Sequence, residues 1–417
     1  MSDIAVLALI LAMVSLVRGR IASWPLTAPM LYVTAGFLLG PDVLDVLNVD
    51  LDDESVALAA ELTLAVLLFS DAARIDTAAL RDSFSLPGRL LGIGLPLTIL
   101  MGTVVTAALL TELSWTEAGL VAAILAPTDA ALGQAVVSDE RVPVRIRQSL
   151  NVESGLNDGL VVPVVAVFLS LSIGEEIESV GSLIFDALRE VGLGIALGAA
   201  IGAVMGRVVP WIGERRWSDL EGLRLVAIGG SLAGFAGAGV IGGNGFITTF
   251  VCGLVLRQTM GDTVPEHTEL AEDVGQIGAS ATFMLFGALM VWPALSVVTW
   301  PVALCALATL TVGRMIPVAM AMVGTGLRAP TVAFLGWFGP RGLASMLFGL
   351  LIVADRGGRA DELFSIVSVV IVASVVLHGI SSAPGAAHYS RWFVQHRHPE
   401  MAEARETRES PIRWRRT

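Results

Sequence analysis

Apolar blocks of about 20 residues recur along this chain, separated by short polar or Gly/Pro-rich connections. A helix of that length crosses the ~30 Å of bilayer hydrocarbon, and helices satisfy their own backbone groups where no water can. The pattern predicts about thirteen spans, near 3–17, 24–40, 55–70, 86–110, 116–137, 150–172, 187–211, 220–239, 243–256, 274–292, 297–323, 330–353 and 362–383. The run Gly237-Ala238-Gly239-Val240-Ile241-Gly242-Gly243-Asn244-Gly245 separates the eighth and ninth, which read as two short spans or as one irregular span.

Two spans are interrupted at their middles. The fifth contains Ala126-Pro127-Thr128-Asp129 and then Gly133; the twelfth contains Gly336 and then Gly339-Pro340-Arg341-Gly342. Each sets a proline beside a charge, and proline removes a backbone donor and releases a carbonyl one turn earlier. Broken helices in corresponding places of two inverted repeats are where transporters place their substrate. The fifth and twelfth spans are seven apart, so they run in opposite directions across the membrane. Spans one to six and eight to thirteen are then the repeats, with the seventh as the link. The fold class expected is an all-α polytopic membrane protein with two inverted-topology six-helix repeats and broken crossing helices. Residues 1–385 form the transmembrane domain, and residues 386–417 a basic, flexible cytoplasmic tail.

Composition agrees: 54% of the 417 residues are hydrophobic, only 15% are charged, and the mean hydropathy is +0.75. That excludes a series of soluble domains. Arginine alternates between connections. Arg18 and Arg20, Arg74, Arg81 and Arg89, Arg141, Arg145 and Arg147, and Arg207, Arg215 and Arg216 fall in odd connections, and seven arginines follow from Arg391 to Arg416. The even connections 41–54 and 173–186 are acidic or neutral, while 354–361 mixes Arg356 and Arg359 with acids. The positive-inside rule then puts the C-terminus in the cytoplasm and the N-terminus outside; the membrane expected is a prokaryotic cell (inner) membrane. Met1-Ser2-Asp3 lacks the basic region of a signal peptide, so the first span is expected to be retained. Cys252 and Cys305 sit in apolar blocks without metal or disulfide spacing. No phosphate loop or nucleotide fingerprint appears, and the chain is expected to be neither an enzyme nor a nucleic-acid binder, with no cofactor.

Charges inside the apolar blocks are few: Asp129, Glu153, Asp158, Arg314 and Arg341, with Asp71 at the end of the third span. An acid within a bilayer costs a few kcal/mol at least and points to function. In Asn151-Val152-Glu153-Ser154-Gly155-Leu156-Asn157-Asp158-Gly159, Glu153 and Asn157 share one helical face, while Ser154 and Asp158 share the next. Arg314 is the expected partner of Glu153, because a buried guanidinium needs a carboxylate. Asp158 is then the titrating acid. Its oxygens cannot hold a proton and a small hard cation together, and oxygens of Asp158, Ser154 and Thr128 suit an alkali cation such as Na⁺. Asp129 has two readings, ion contact or a cap on the half-helix after Pro127. Arg341 is expected to neutralise helix ends, and His378 to be a structural residue near a helix end.

Ala126-Pro127-Thr128-Asp129-Ala130, Glu153-Ser154-Gly155-Leu156-Asn157-Asp158-Gly159, Gly313-Arg314 and Pro340-Arg341-Gly342 resemble, in order and spacing, the NhaP-type sodium/proton antiporters of the monovalent cation:proton antiporter family. The resemblance covers residues 1–383. It implies a six-helix core domain working against a dimerisation domain in a homodimer. It also implies ion binding by Thr128, Ser154 and Asp158, with Asp129 at the helix crossing, Glu153 and Arg314 as the buried pair, and Asn157 before the ion-binding acid. The Asn-Asp pair resembles the electroneutral branch. The acid that the family often carries after Leu-Phe in the third span is shifted here to Asp71, behind Leu68-Phe69-Ser70. The function implied is electroneutral Na⁺/H⁺ antiport by alternating access, with membrane lipid as its surroundings. The alternatives are K⁺/H⁺ antiport on the same fold and a Na⁺-coupled solute symporter, which the scarcity of polar residues in the central spans disfavours.

Overall fold

The computed structural model describes residues 2–21, 26–47, 54–75, 85–129, 132–137, 139–172, 180–354, 359–396, 398 and 401–404. Among them the chain is helical throughout, without a strand. In chain order the helices are α1 (Ser2–Ile21), α2 (Ala28–Leu39), α3 (Glu54–Arg74), α4 (Ser85–Leu109), α5 (Trp115–Ile124), α6 (Gln134–Val137), α7 (Val144–Ser172) and α8 (Val180–Glu214). They continue with α9 (Leu220–Val240), α10 (Gly245–Met260), α11 (Val264–Ser296), α12 (Trp300–Leu310), α13 (Val312–Ala321), α14 (Ala329–Trp337), α15 (Leu343–Ala354) and α16 (Ala360–His396). Seven helical segments among the described residues are long and apolar enough to cross a membrane, α12 and α13 together forming one of them; α2, α5, α10 and residues 5–16 of α1 are shorter apolar helices.

Local chemistry sets the boundaries. Ser114 accepts the N–H of Glu117 and the Glu117 carboxylate accepts the N–H of Ser114, a capping box that starts α5. The Gly-rich run yields two helices, because Asn244 Oδ1 accepts the N–H groups of Phe246 and Ile247 and begins α10 anew. Gly242, at φ +71°, makes the turn before it. The eleventh predicted span is also broken: Thr311, at φ −106° and ψ −86°, divides α12 from α13 three residues before Arg314. The last helix runs to His396, into the stretch expected to be a tail, and Tyr389, Ser390 and Phe393 on it are buried. Arg81, Arg356, Arg397 and residues 405–417 lie outside the described residues, as do the acids between 173 and 179.

The chain divides into two compact units. The first contains Met1–Ala57, Ser83–Asn157 and Ser280–Thr417; the second contains Leu58–Asp82 and Asp158–Ala279. Each unit thus draws on both halves of the chain. In the first, a core of Leu86, Leu90, Ile146, Val318, Leu335 and Tyr389 joins α4, α7, α13, α14 and α16. In the second, α8 and α10 pack almost backbone to backbone. Gly194, Gly198, Gly202 and Gly206 recur every fourth residue, and a Cβ at Gly198 would stand 2.4 Å from the carbonyl oxygen of Thr248. Phe69, Cys252, Leu256 and Ala271 fill that unit's core.

Candidate functional site

Both predicted interruptions are present, and in the first unit they meet. The chain leaves helical geometry after Ile124 and again between Trp337 and Leu343. The N–H of Asp129 donates to the carbonyl of Pro340 at 2.8 Å. Asp129 Oδ2 accepts the N–H of Leu343 at 2.9 Å, at the start of α15. Arg341, fully buried, donates from Nη1 to the carbonyls of Ala126 and Pro127, the latter at 3.2 Å.

 

A negative side chain from one break therefore meets the amide end of one half-helix, and a positive side chain from the other meets carbonyls of the break just beyond the C-terminal end of α5, the signs that helix dipoles favour. The two breaks leave room for this through glycine. A Cβ at Gly342 would fall 2.1 Å from Asp129 Oδ2, and one at Gly339 2.5 Å from Arg314 Nε.

The buried pair expected from sequence forms as a fork. Arg314 donates from Nη1 to Glu153 Oε1 at 2.6 Å and from Nη2 to Oε2 at 2.8 Å, and both side chains are almost wholly buried. Such bidentate geometry is the strong form of the interaction. One residue on from Glu153, the Ser154 hydroxyl lies 2.9 Å from the Thr128 hydroxyl. Asn157 donates from Nδ2 to Thr128 Oγ1 at 2.8 Å, while its own Oδ1 is buried without a partner among the described residues. Thr128 can accept from Asn157, donate to Ser154 and keep a lone pair. Thr128, Ser154 and Asn157 thus form one polar group on α7 and the first break, next to the ion pair.

Asp158 follows Ser154 by one turn of α7 and is half-buried. Asp71 is half-buried near the C-terminal end of α3, after Ser70, whose hydroxyl donates to the carbonyl of Leu67. Asp129 and Arg341 both engage helix ends, each at the half-helix of the other break. That partner was not legible in sequence, which offered Asp129 only its own half-helix to cap.

Sequence reading missed the bracing behind the second break. His378 stands well inside α16, not near its end, because that helix continues to His396. Ser374, His378 and Ser381 lie on one face of α16 and reach Arg341, Trp337 and the Trp337 indole respectively. The available signal was their spacing of four and three residues in an otherwise apolar helix.

Apolar helices, two of them interrupted where opposite charges meet, define an integral membrane protein with discontinuous helices. The chain belongs to the sodium/hydrogen exchanger transmembrane family, whose sequence profile matches residues 5–387. It is 25% identical over 390 residues to a K⁺/H⁺ antiporter NhaP2 of Shewanella sp. strain ANA-3, covering 92% of this chain and 65% of that protein. It is 24% identical over 396 residues to a K⁺/H⁺ antiporter NhaP of Alkalimonas amylolytica, covering 93% of this chain and 66% of that one. The chain therefore spans about two-thirds of the length of these relatives. Its fold is similar to that of the sodium/proton antiporter MjNhaP1 of Methanocaldococcus jannaschii, with a TM-score of 0.76 over 90% of this chain and 98% of that one, at 20% identity.

Proposed function

We propose that this protein exchanges one monovalent cation, Na⁺ in the first instance, for one proton by alternating access, with no net charge moved per cycle. The observation that carries the reading is the fork between Glu153 and Arg314. It neutralises one of the two acids of the α7 motif, so the exchange chemistry falls to the other, Asp158. The same carboxylate oxygens cannot hold a proton and a small hard cation together. One acid then holds one proton or one cation, and competition between them couples the two movements. Ser154, one helical turn before Asp158, and Thr128, in contact with Ser154, are proposed as the further oxygen ligands. Asn157 is uncharged and orients the Thr128 hydroxyl, so it adds no second titrating site. Asp129 and Arg341 support the two breaks, and Asp71 is proposed as an accessory acid on α3.

Family membership and the likeness to K⁺/H⁺ antiporters support cation/proton antiport in a cell membrane. The resemblance noted above supports a homodimer, and the arginine distribution an external N-terminus and a cytoplasmic C-terminus. The relatives' names also favour K⁺ as a second reading on the same site. Purified protein in sealed proteoliposomes carrying an internal proton gradient tests both. Addition of Na⁺ should dissipate the gradient without generating a membrane potential. Dissipation by K⁺ alone would exchange the first reading for the second, a potential generated by turnover would contradict electroneutrality, and no response to any alkali cation would contradict antiport.

A further inference from the structure

Among the described residues, His378 is the one imidazole that the first unit buries against a helix break, and the exchange chemistry above does not use it. It is 1% exposed. Its Nε2 lies 3.0 Å from the carbonyl of Trp337, the last residue of α14, and its ring stands 5.1 Å from the Trp337 indole. Its Nδ1 lies 3.2 Å from the Ser374 hydroxyl and 3.1 Å from the Ser374 carbonyl. The Ser374 hydroxyl in turn accepts the N–H of Arg341 at 2.6 Å.

Nε2 faces the Trp337 carbonyl and binds it when it carries the ring hydrogen. Nδ1 then faces the Ser374 hydroxyl, which accepts from Arg341 and can donate to it, and the Ser374 carbonyl, with which a bare Nδ1 makes no hydrogen bond. In that tautomer the contacts run from the Arg341 N–H through Ser374 and His378 to the Trp337 carbonyl. They tie the residues on both sides of the second break, 337 and 341, to one continuous helix.

What the clasp holds, holds Thr128. Pro340 accepts the N–H of Asp129, and Arg341 donates to the carbonyls of Ala126 and Pro127. Thr128 is the residue between these anchored neighbours. We propose that His378, through Ser374, is a positioning residue that fixes the second break and thereby sets the place of the Thr128 oxygen for the cation. This rests on Thr128 being a cation ligand, as read above.

The prediction is a change in cation affinity ahead of a change in turnover. Small displacements of a positioned group cost large factors, and a buried donor left without its acceptor costs about a factor of ten. Proteoliposome exchange is measured against cation concentration for wild type, Ser374→Ala, His378→Leu, His378→Gln and the control Ser390→Ala, whose hydroxyl only donates within α16 to Ala386. Ser374→Ala and His378→Leu should each raise the apparent KM about tenfold, with the maximal rate within about twofold. Glutamine can place an amide N–H where Nε2 stands, and should bring the KM most of the way back. Ser390→Ala should leave it unchanged.

An unchanged KM in Ser374→Ala overturns the proposal. So does a glutamine variant no better than leucine, or a falling maximal rate at constant KM. Where His378→Leu does not fold, Ser374→Ala and His378→Gln decide alone. Asp158→Asn separates the two readings. Exchange surviving that substitution defeats the ion site itself, whereas its loss together with normal KM values in the clasp variants defeats only the clasp.

Discussion

Asp129 accepts the backbone N–H of Leu343 through Oδ2 at 2.9 Å, joining positions 214 residues apart in the chain. The contact is half of an exchange: Arg341, from the same break as Leu343, donates back to the carbonyls of Ala126 and Pro127. Each broken helix is thus completed electrostatically by the other. A half-helix end in an apolar interior has no water to satisfy it, so the charge at the break is a requirement of having a break there.

Asp129→Asn keeps an acceptor for Leu343 and removes the charge. The loss expected is about 1–2 kcal/mol, the upper range for a charge at a helix terminus in a partly buried setting. Asp129→Ala removes the acceptor as well and should cost more. Thermal unfolding in detergent compares the two; equal melting temperatures for Asn, Ala and wild type would show that the cap contributes nothing.

Gly342 tests the same crossing sterically. A Cβ there would come 2.1 Å from Asp129 Oδ2 and 2.7 Å from its Cβ, so Gly342→Ala forces the breaks apart. Gly229, in the middle of α9, has open space around the same position. Gly229→Ala should be neutral or stabilise by about 0.5–1 kcal/mol, as alanine does in a helix, whereas Gly342→Ala should lower the melting temperature and the exchange rate together. A Gly342→Ala protein as active as wild type would contradict the close crossing.

Neutralising either Glu153 or Arg314 leaves a buried charge without its partner, at a cost of about 3–5 kcal/mol. Removing both should cost clearly less than the sum of the single losses. The cycle Glu153→Gln, Arg314→Met and the double variant, followed by unfolding, measures the coupling. Strict additivity would mean that the fork in the structure has no energetic content.

Several of these relations were legible in the sequence and others were not, for physical reasons. Apolar block length located the helices because the bilayer sets one length for all of them. Pro127 and Pro340 marked both breaks, since proline beside a charge within an apolar run has few other uses. Glu153 and Arg314 could be paired from the cost of burying either alone. Partners across the fold were harder. Nothing local says that Asp129 caps α15 or that Ser374 meets Arg341, because those contacts follow from how distant segments cross. Thr311 gave no sign of dividing the eleventh span, having neither proline nor a glycine before it.

Part of the C-terminal stretch expected to be a flexible tail is packed instead. Glu403 Oε1 accepts the N–H of Arg328 at 2.8 Å and the Thr331 hydroxyl at 2.9 Å, and Met401, Ala402 and Glu403 are buried. Arg145 donates to the carbonyl of Ala402. This carboxylate caps the start of α14 from outside the helix. Glu403→Ala should cost about 1–3 kcal/mol, the range for leaving buried donors unmatched, and should speed hydrogen exchange at the Arg328 amide, which donates to Glu403. Unaltered exchange at that amide would show that the segment is not docked.

The central claim is that a single carboxylate, Asp158, carries either the proton or the cation. Its most direct measurement is cation-dependent proton movement in proteoliposomes reconstituted with Asp158→Asn, at matched protein content and with folding verified by the melting temperature. Asparagine keeps the size and one oxygen but cannot exchange a proton, so the account predicts that cation-driven proton flux is lost while the protein remains folded. Flux near the wild-type rate in that variant would contradict it.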